Sequence, residues 1–505
     1  MNGKSGKTPV GQLVMPRIDF NEKGSVDLAK RLVDDYSVCG FIIFNGEIEQ
    51  VRKTLSELRS RSDYPLLFGC DAERGLGQIV RGGTLFPFLM SQGAADAPEL
   101  LKEQARITAE EMKYSGMNLL FAPVLDVNSN PANPIINIRS FSDNPALVYE
   151  LGIEFIKVIQ ESGVISCAKH FPGHGDCNTD SHVSMPEVKK SREDLLELEL
   201  IPFIKTVNEG LLSIMLAHVN YKTLDPDKSP ATLSEEIIKN MLRGEIGFRG
   251  LIISDSFRMD ALRNFGTEGG VAVRSIKAGC DIILDPTDPF SVIGKLNSSM
   301  QTDEEMFKCI DDQSDFVIKF KENNVGNESF LIKKTDDEKN KVVNDICERS
   351  ICRLKGGTMK AGDADVVVAD IAEFGKSVSE PFITELENNS FSVNNIHFLT
   401  NEYVTDSLKG IERSMNTIFL LFTSVRAWKK YTFLSEKLLN TLFEYMDGRK
   451  NTAVISFGSP YVMNQFKDVD IKIAAFDSLP PCQIAAARAL TGKLGIVGKM
   501  PVNII

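Results

Sequence analysis

Residues 169–182 read Lys-His-Phe-Pro-Gly-His-Gly-Asp-Cys-Asn-Thr-Asp-Ser-His, and His218 follows a short way downstream. The chain has only five histidines, so four of them fall between positions 170 and 218. Pro172, Gly173 and Gly175 make the stretch a loop. Asp180 and His182 are one residue apart, so in extended backbone their side chains face the same way. The carboxylate can then accept a hydrogen bond from one ring nitrogen and leave the other for a substrate, as a general acid/base requires. A second chemistry fits the same residues: His170, His174 and His182 could ligate a metal ion in a metal-dependent hydrolase. A phosphate cradle fits less well, because the Gly-His-Gly-Asp run lacks both the Lys-Ser/Thr pair and the G-x-G-x-x-G spacing.

Two further stretches carry candidate groups. In Ile253-Ser-Asp255-Ser256 an aspartate flanked by serines ends an apolar run, where it could be a nucleophile, a metal ligand or a helix N-cap. Within 69–83, Asp71 could bind adjacent hydroxyls, with Arg74 or Arg81 to steady it.

These residues need elements to bring them together. Short apolar runs at 41–44, 65–70, 118–127, 164–168, 211–217, 251–253 and 281–284 alternate with amphipathic stretches. Such near-continuous runs read as parallel strands covered on both faces, and the repeat is that of an α/β domain. Polar groups follow nearly every run: Asn45, Asp71, Asp126, Lys169 with His170, His218 with Asn220, Asp255 and Asp285. An open sheet would concentrate such groups at one switch point, whereas a (β/α)8 barrel gathers all its strand ends at one mouth. The expectation is a TIM-type barrel over residues 1–322, its eighth strand either without a visible run or supplied by 13–18. The charged stretch 323–345 reads as a linker, with an exposed helix face equally open for its second half. A second α/β series over 346–505 reads as a smaller layered domain.

Composition narrows the partners. The 505 residues are 43% hydrophobic and carry 57 basic against 69 acidic side chains, a net charge of −12 with no basic block. Nucleic acid and anionic membranes are therefore not expected partners. No apolar run reaches the roughly eighteen residues of a membrane span, and the N-terminal residues lack a signal-peptide core. Nine cysteines show no C-x-x-C pair, so a reducing, cytoplasmic setting is expected. Oligomeric state leaves no signature.

The chain resembles family 3 glycoside hydrolases, specifically their β-N-acetylglucosaminidase branch. Lys169-His-Phe-Pro-Gly-His-Gly-Asp176 running on to Asp180-Ser-His182 is specific to that branch. Supporting matches are Phe121-Ala-Pro-Val-Leu-Asp-Val127, Arg139-Ser-Phe141, Met215-Leu-Ala-His218, Ile253-Ser-Asp255 with Met259, Ala278-Gly-Cys-Asp281 and Gly498-Lys-Met-Pro501. The resemblance implies a barrel followed by an αβα sandwich, no cofactor, no metal, and a carbohydrate substrate ending in N-acetylglucosamine. It implies Asp255 as nucleophile and His182 as acid/base with Asp180 as its partner. Asp71, Arg139, Lys169 and His170 would bind the terminal sugar, with Met259 and His218 as further substrate-binding residues and His218 lining the mouth. The family places an arginine eight residues after the first aspartate; here Ile79 stands there, and Arg81 is the expected substitute. Cell-wall fragments are the expected substrates, with chitin-derived oligosaccharides as the alternative. A plain β-glucosidase, phosphorolysis, and catalysis by the substrate's own acetamido group remain open beside the main reading.

Overall fold

The computed structural model describes residues 10–177, 185–225, 227, 229–326, 332–404, 414–425 and 433–504. Asp180, His182 and Trp428 lie outside the described residues. The chain divides into two compact units. The first is Met1–Phe86, Lys102–Val127 and Val148–Asp336; the second is Pro87–Leu101, Asn128–Leu147 and Asp337–Ile505.

The first unit is a (β/α)8 barrel. Its strands are β1 (Val14–Met15), β2 (Arg17–Asp19), β3 (Gly40–Phe44), β4 (Leu67–Cys70), β5 (Leu119–Leu120), β6 (Ile165–Phe171), β8 (Ser213–Leu216), β10 (Leu251–Ser254) and β11 (Ile283–Leu284). A short parallel pair outside the ring joins β7 (Glu187–Val188) to β9 (Asn220–Tyr221). Strands such as Ser-Ile-Met-Leu and Leu-Ile-Ile-Ser are buried at every residue, which is why their sequences do not alternate. Parallel pairing runs β2-β3-β4-β5-β6-β8-β10, and the ring is completed by an Ile253–Ile282 bridge and by β1 against β11. β1 and β2 together are the eighth strand expected within 13–18. Pro16 separates them, so that one half pairs with the last strand and the other with β3.

One sequence expectation changes here and one open alternative is resolved. The run 118–127 forms a ladder only at Leu119–Leu120, with a later bridge from Val124 to Lys169. Pro123 lacks the N–H a continuing ladder needs. The stretch expected as a linker, 323–345, is helical in its second half, within the helix Asp336–Ser350. Lys339, Val342, Val343, Ile346 and Cys347 are buried at helical spacing there, and the charged residues cover the other face.

The second unit is a three-layer αβα sandwich. Its sheet runs β12 (Cys352–Lys355), β17 (Ile471–Ala474), β16 (Thr452–Phe457), β15 (Asn416–Phe422), β13 (Asp363–Asp370), β14 (Ser392–Leu399), parallel except for β12. Alternation within β13 supplies both faces. Val367 and Ala369 pack with Leu438 and Leu442 of the helix Glu436–Met446. Val366 and Val368 pack with Phe382 and Leu386 of the helix Glu380–Asn388 and with Ala486 and Leu490 of the helix Pro480–Thr491. Met90, Ala94 and Ile138, from the two earlier segments, join the first of these cores. Among the described residues no helix is long and apolar enough to cross a membrane.

Candidate active site

The C-terminal ends of the barrel strands carry the chemistry. β6 delivers Lys169 and His170, joined by a cis peptide. Lys169 is almost fully buried, and its Nζ lies 2.6 Å from Asp71 Oδ1 and 2.8 Å from Glu73 Oε1. One ammonium therefore serves two carboxylates. Glu73 is as buried as the lysine, while the Asp71 side chain is 33% exposed and remains available to a ligand's hydroxyls.

His170 is oriented by Asp126, whose Oδ2 lies 2.7 Å from its Nδ1. The other oxygen, Oδ1, accepts from the backbone N–H groups of His170 at 3.2 Å and His174 at 2.6 Å. Burial pushes the Asp126 carboxyl up, but the charge and hydrogen bond of His170 and the His174 contacts outweigh it and hold it below the usual carboxylate range. With its proton on Nδ1, His170 offers Nε2 to a substrate. Burial, aided by His170, pushes His174 down to about 4, so that ring is neutral at pH 7. Among the described residues no group of three His, Cys, Asp or Glu side chains is placed to hold a metal ion. His182, the third histidine of the metal reading, lies outside them.

The described residues on either side of positions 178–184 make contacts of their own. On the near side Tyr221 Oη donates to the Gly173 carbonyl, and Lys190 Nζ lies 3.5 Å from Asp176 Oδ1 and 2.5 Å from the buried Glu199. On the far side Glu187 and Val188 pair with Asn220 and Tyr221.

Asp255 follows β10 directly. Its backbone N–H donates to the Leu216 carbonyl at 3.1 Å, and its Oδ1 accepts the Ser256 N–H at 2.7 Å. It caps no helix: Thr267 caps the helix Glu268–Ala278. Ser256 is itself pinned. Its Oγ donates to Asp285 Oδ2 at 2.7 Å, and its carbonyl accepts from His218 Nε2 at 3.1 Å. Asp285, fully buried after β11, also takes Arg17 through Nε at 2.7 Å and Nη2 at 2.6 Å, and Arg258 Nε at 3.2 Å.

Three expected binding residues sit otherwise. His218 is fully buried and holds Thr232 Oγ1 at 2.7 Å as well as Ser256, so it supports the Asp255 turn from behind. Met259 is buried too, closing the turn through its N–H to the Ser256 carbonyl at 3.2 Å. Arg81 is 64% exposed and pairs with Glu47, because its backbone is bridged to that residue at the surface. Arg139 belongs to the second unit, half-buried on a tight loop, with Nη1 donating to the Ile135 carbonyl at 2.9 Å.

The supporting roles of Glu73, Asp126, Asp285, Arg17 and Arg258 escaped the sequence reading. Glu73 had a usable signal, since Asp71-x-Glu73 puts two carboxylates on one side of extended chain. The others are paired across 27 to 268 residues, where local spacing says nothing.

Residues 7–320 match the family model described as the N-terminal domain of glycosyl hydrolase family 3. A beta-hexosaminidase of Idiomarina loihiensis is 34% identical over 285 residues, covering 54% of this chain and 84% of that protein. Beta-hexosaminidase A of Pseudoalteromonas piscicida is 35% identical over 281 residues, 50% of this chain and 47% of that protein, so the match spans about half of that relative. Among solved structures, a family 3 beta-N-acetylglucosaminidase from Paenibacillus sp. str. FPU-7 superposes with a TM-score of 0.85 at 28% identity, covering 99% of both chains. A beta-glucoside phosphorylase reaches the same TM-score at 20% identity, a likeness of fold alone.

Proposed function

The chain belongs to glycosyl hydrolase family 3, and from that premise we propose that this glycoside hydrolase is a retaining exo-β-N-acetylglucosaminidase. The observation that carries the reading is the set of groups at the barrel's strand ends: a partly exposed Asp255 held by Ser256, a Lys169–Asp71–Glu73 cluster, and a His170 oriented by Asp126. The beta-hexosaminidase names of the two relatives support a hexosaminide substrate, and the beta-N-acetylglucosaminidase name of the Paenibacillus structure supports this sugar.

In this scheme Asp71, Lys169 and His170 bind the hydroxyls of the terminal sugar. The Ser256 N–H stabilises the ionised form of Asp255, the form that attacks the anomeric carbon. His182, charged and paired with Asp180, protonates the departing oxygen, and a glycosyl-aspartate forms. His182, now neutral, takes a proton from water. That water releases the sugar with its configuration retained. Retaining enzymes commonly use two carboxylates, and here the Asp180–His182 pair replaces the second. Cell-wall fragments are the proposed natural substrates.

Asp255→Ala should lower turnover of an aryl N-acetyl-β-glucosaminide by roughly 10⁴-fold or more, as removal of other enzymic nucleophiles does. Its thermal unfolding midpoint should stay close to that of the parent. Near-normal turnover in that variant would sink the scheme.

A further inference from the structure

Nine cysteines are spread through the chain, and eight of them are buried. Cys39, Cys280 and Cys352 turn their thiols to the carbonyl oxygens of Val14, Ile282 and Ser350, at 3.2, 3.3 and 3.4 Å. That is the usual condition of a buried thiol, a weak donor in apolar surroundings. Cys347 and Cys482 are arranged differently. Their two sulfurs face each other 2.7 Å apart, although 135 residues separate them along the chain. A disulfide spans about 2.05 Å, so the sulfurs stand roughly 0.7 Å from bonding distance.

The juxtaposition is built by elements of the second unit alone. Cys347 lies on the helix Asp336–Ser350, on the face that also buries Val343, Ile346 and Ser350. Cys482 lies in the first turn of the helix Pro480–Thr491, whose start is set by Pro480 and Pro481. A separate contact ties the same two helices together: Arg488 Nη1 lies 3.4 Å from Oε1 of Glu348, the residue after Cys347. Both thiols are fully buried, so small reagents reach them only while the unit folds or opens.

We propose that Cys347 and Cys482 are a modification site, joined as a disulfide when the chain folds in an oxidising medium. The inference goes beyond the glycosidase reading and does not depend on it. The oxidant is a small-molecule disulfide such as oxidised glutathione. One cysteine attacks a sulfur of that disulfide as its thiolate, breaks the S–S bond and releases one glutathione. The second cysteine displaces the other glutathione and forms the Sγ–Sγ bond. Each cysteine's S–H proton ends on a departing glutathione, so two thiols are oxidised and one disulfide is reduced to two thiols. The absence of a C-x-x-C pair carries no information about this site, because its partners are 135 residues apart. Closing so long a loop restricts the unfolded chain and thereby stabilises the folded unit.

Cell-free synthesis of the full-length chain in an oxidising glutathione buffer and in a reducing one tests the site. The soluble products are alkylated under denaturing conditions, digested and mapped by mass spectrometry. The oxidising product should contain the Cys347 peptide joined to the Cys482 peptide, two hydrogens lighter than the separate pair, and the reducing product should not. Reduction of the linked protein should lower its unfolding midpoint by about 5–15 °C, the span expected for a disulfide in a domain of this size. Cys482→Ala should show no such drop. Alkylation of both cysteines in the oxidising product, or a bond from either to a third cysteine, overturns the proposal. An unchanged midpoint on reduction overturns it as well. The mapping uses the unsubstituted chain, so it decides the site even where Cys482→Ala fails to fold.

Discussion

At Lys169 a single buried ammonium lies within 2.6 Å of Asp71 and 2.8 Å of Glu73, so replacing it would leave two carboxylates facing each other without it. Lys169→Met should cost about 3–5 kcal/mol of stability, the usual penalty for removing one partner of a buried ionic group. It should also lower kcat/KM, because Asp71 loses the contact that fixes it. Denaturant titration and steady-state kinetics on one preparation check both, and unchanged stability would contradict the charge balance described here. The residue types were legible in the sequence: Asp71, Lys169, His170 and Asp255 all sit at strand ends around one ring. Their supports were not. Asp126 reaches His170 across 44 residues, and no local pattern marks that pairing. His218 is a related case, its partners lying 14 and 38 residues away. A residue just past a strand can face the mouth or turn back beneath it, and no local pattern marks its contacts with Thr232 and Ser256.

Among the elements, the barrel strands were the easiest to read, since burial on both faces leaves runs such as Gly-Phe-Ile-Ile-Phe that few other settings produce. The helix Glu304–Asn324 hides a less visible feature. Lys321 is fully buried near its end, with Nζ donating to Gln12 Oε1 and placed 3.5 Å from the Cys39 carbonyl, both neutral acceptors. Burial pushes its ammonium down to about 8. The unfolded chain, with an ordinary lysine near 10.4, binds more protons between those values, so this group makes stability rise with pH above about 8. Below that pH its full cost applies, about 3 kcal/mol at most. Buried thiols such as Cys39, pushed up to about 12, work in the opposite direction once free thiols ionise near 8.5. The clean comparison is therefore the difference between proteins. Relative to the parent, Lys321→Met should show no lysine-linked rise in unfolding free energy between pH 8 and 10. Because Gln12 and Cys39 precede their strands, opposite the mouth, kcat/KM should be unchanged. Identical pH slopes in the two proteins would refute the assignment.

For the whole molecule, the composition break after residue 322 marked where one α/β series gives way to another, yet the structure divides the chain differently. Segments 87–101 and 128–147 belong to the second unit, where Met90, Ala94 and Ile138 share a core with β13, β15 and the helix Glu436–Met446. Nothing local in those segments announces that their apolar residues await strands some 230 positions or more downstream. A chain ending at residue 336 would leave them uncovered, so it should bind a hydrophobic dye and aggregate where the full chain does not. A truncated protein that stays monomeric and dye-free would argue against that shared core. The account as a whole depends on Asp255 as the nucleophile of family 3 chemistry. Its most direct test is to trap the intermediate with an activated 5-fluoro N-acetylglucosaminide and map the labelled peptide by mass spectrometry. A single glycosyl adduct on Asp255 is the predicted result; an adduct on another residue, or inactivation with no covalent label, would contradict it.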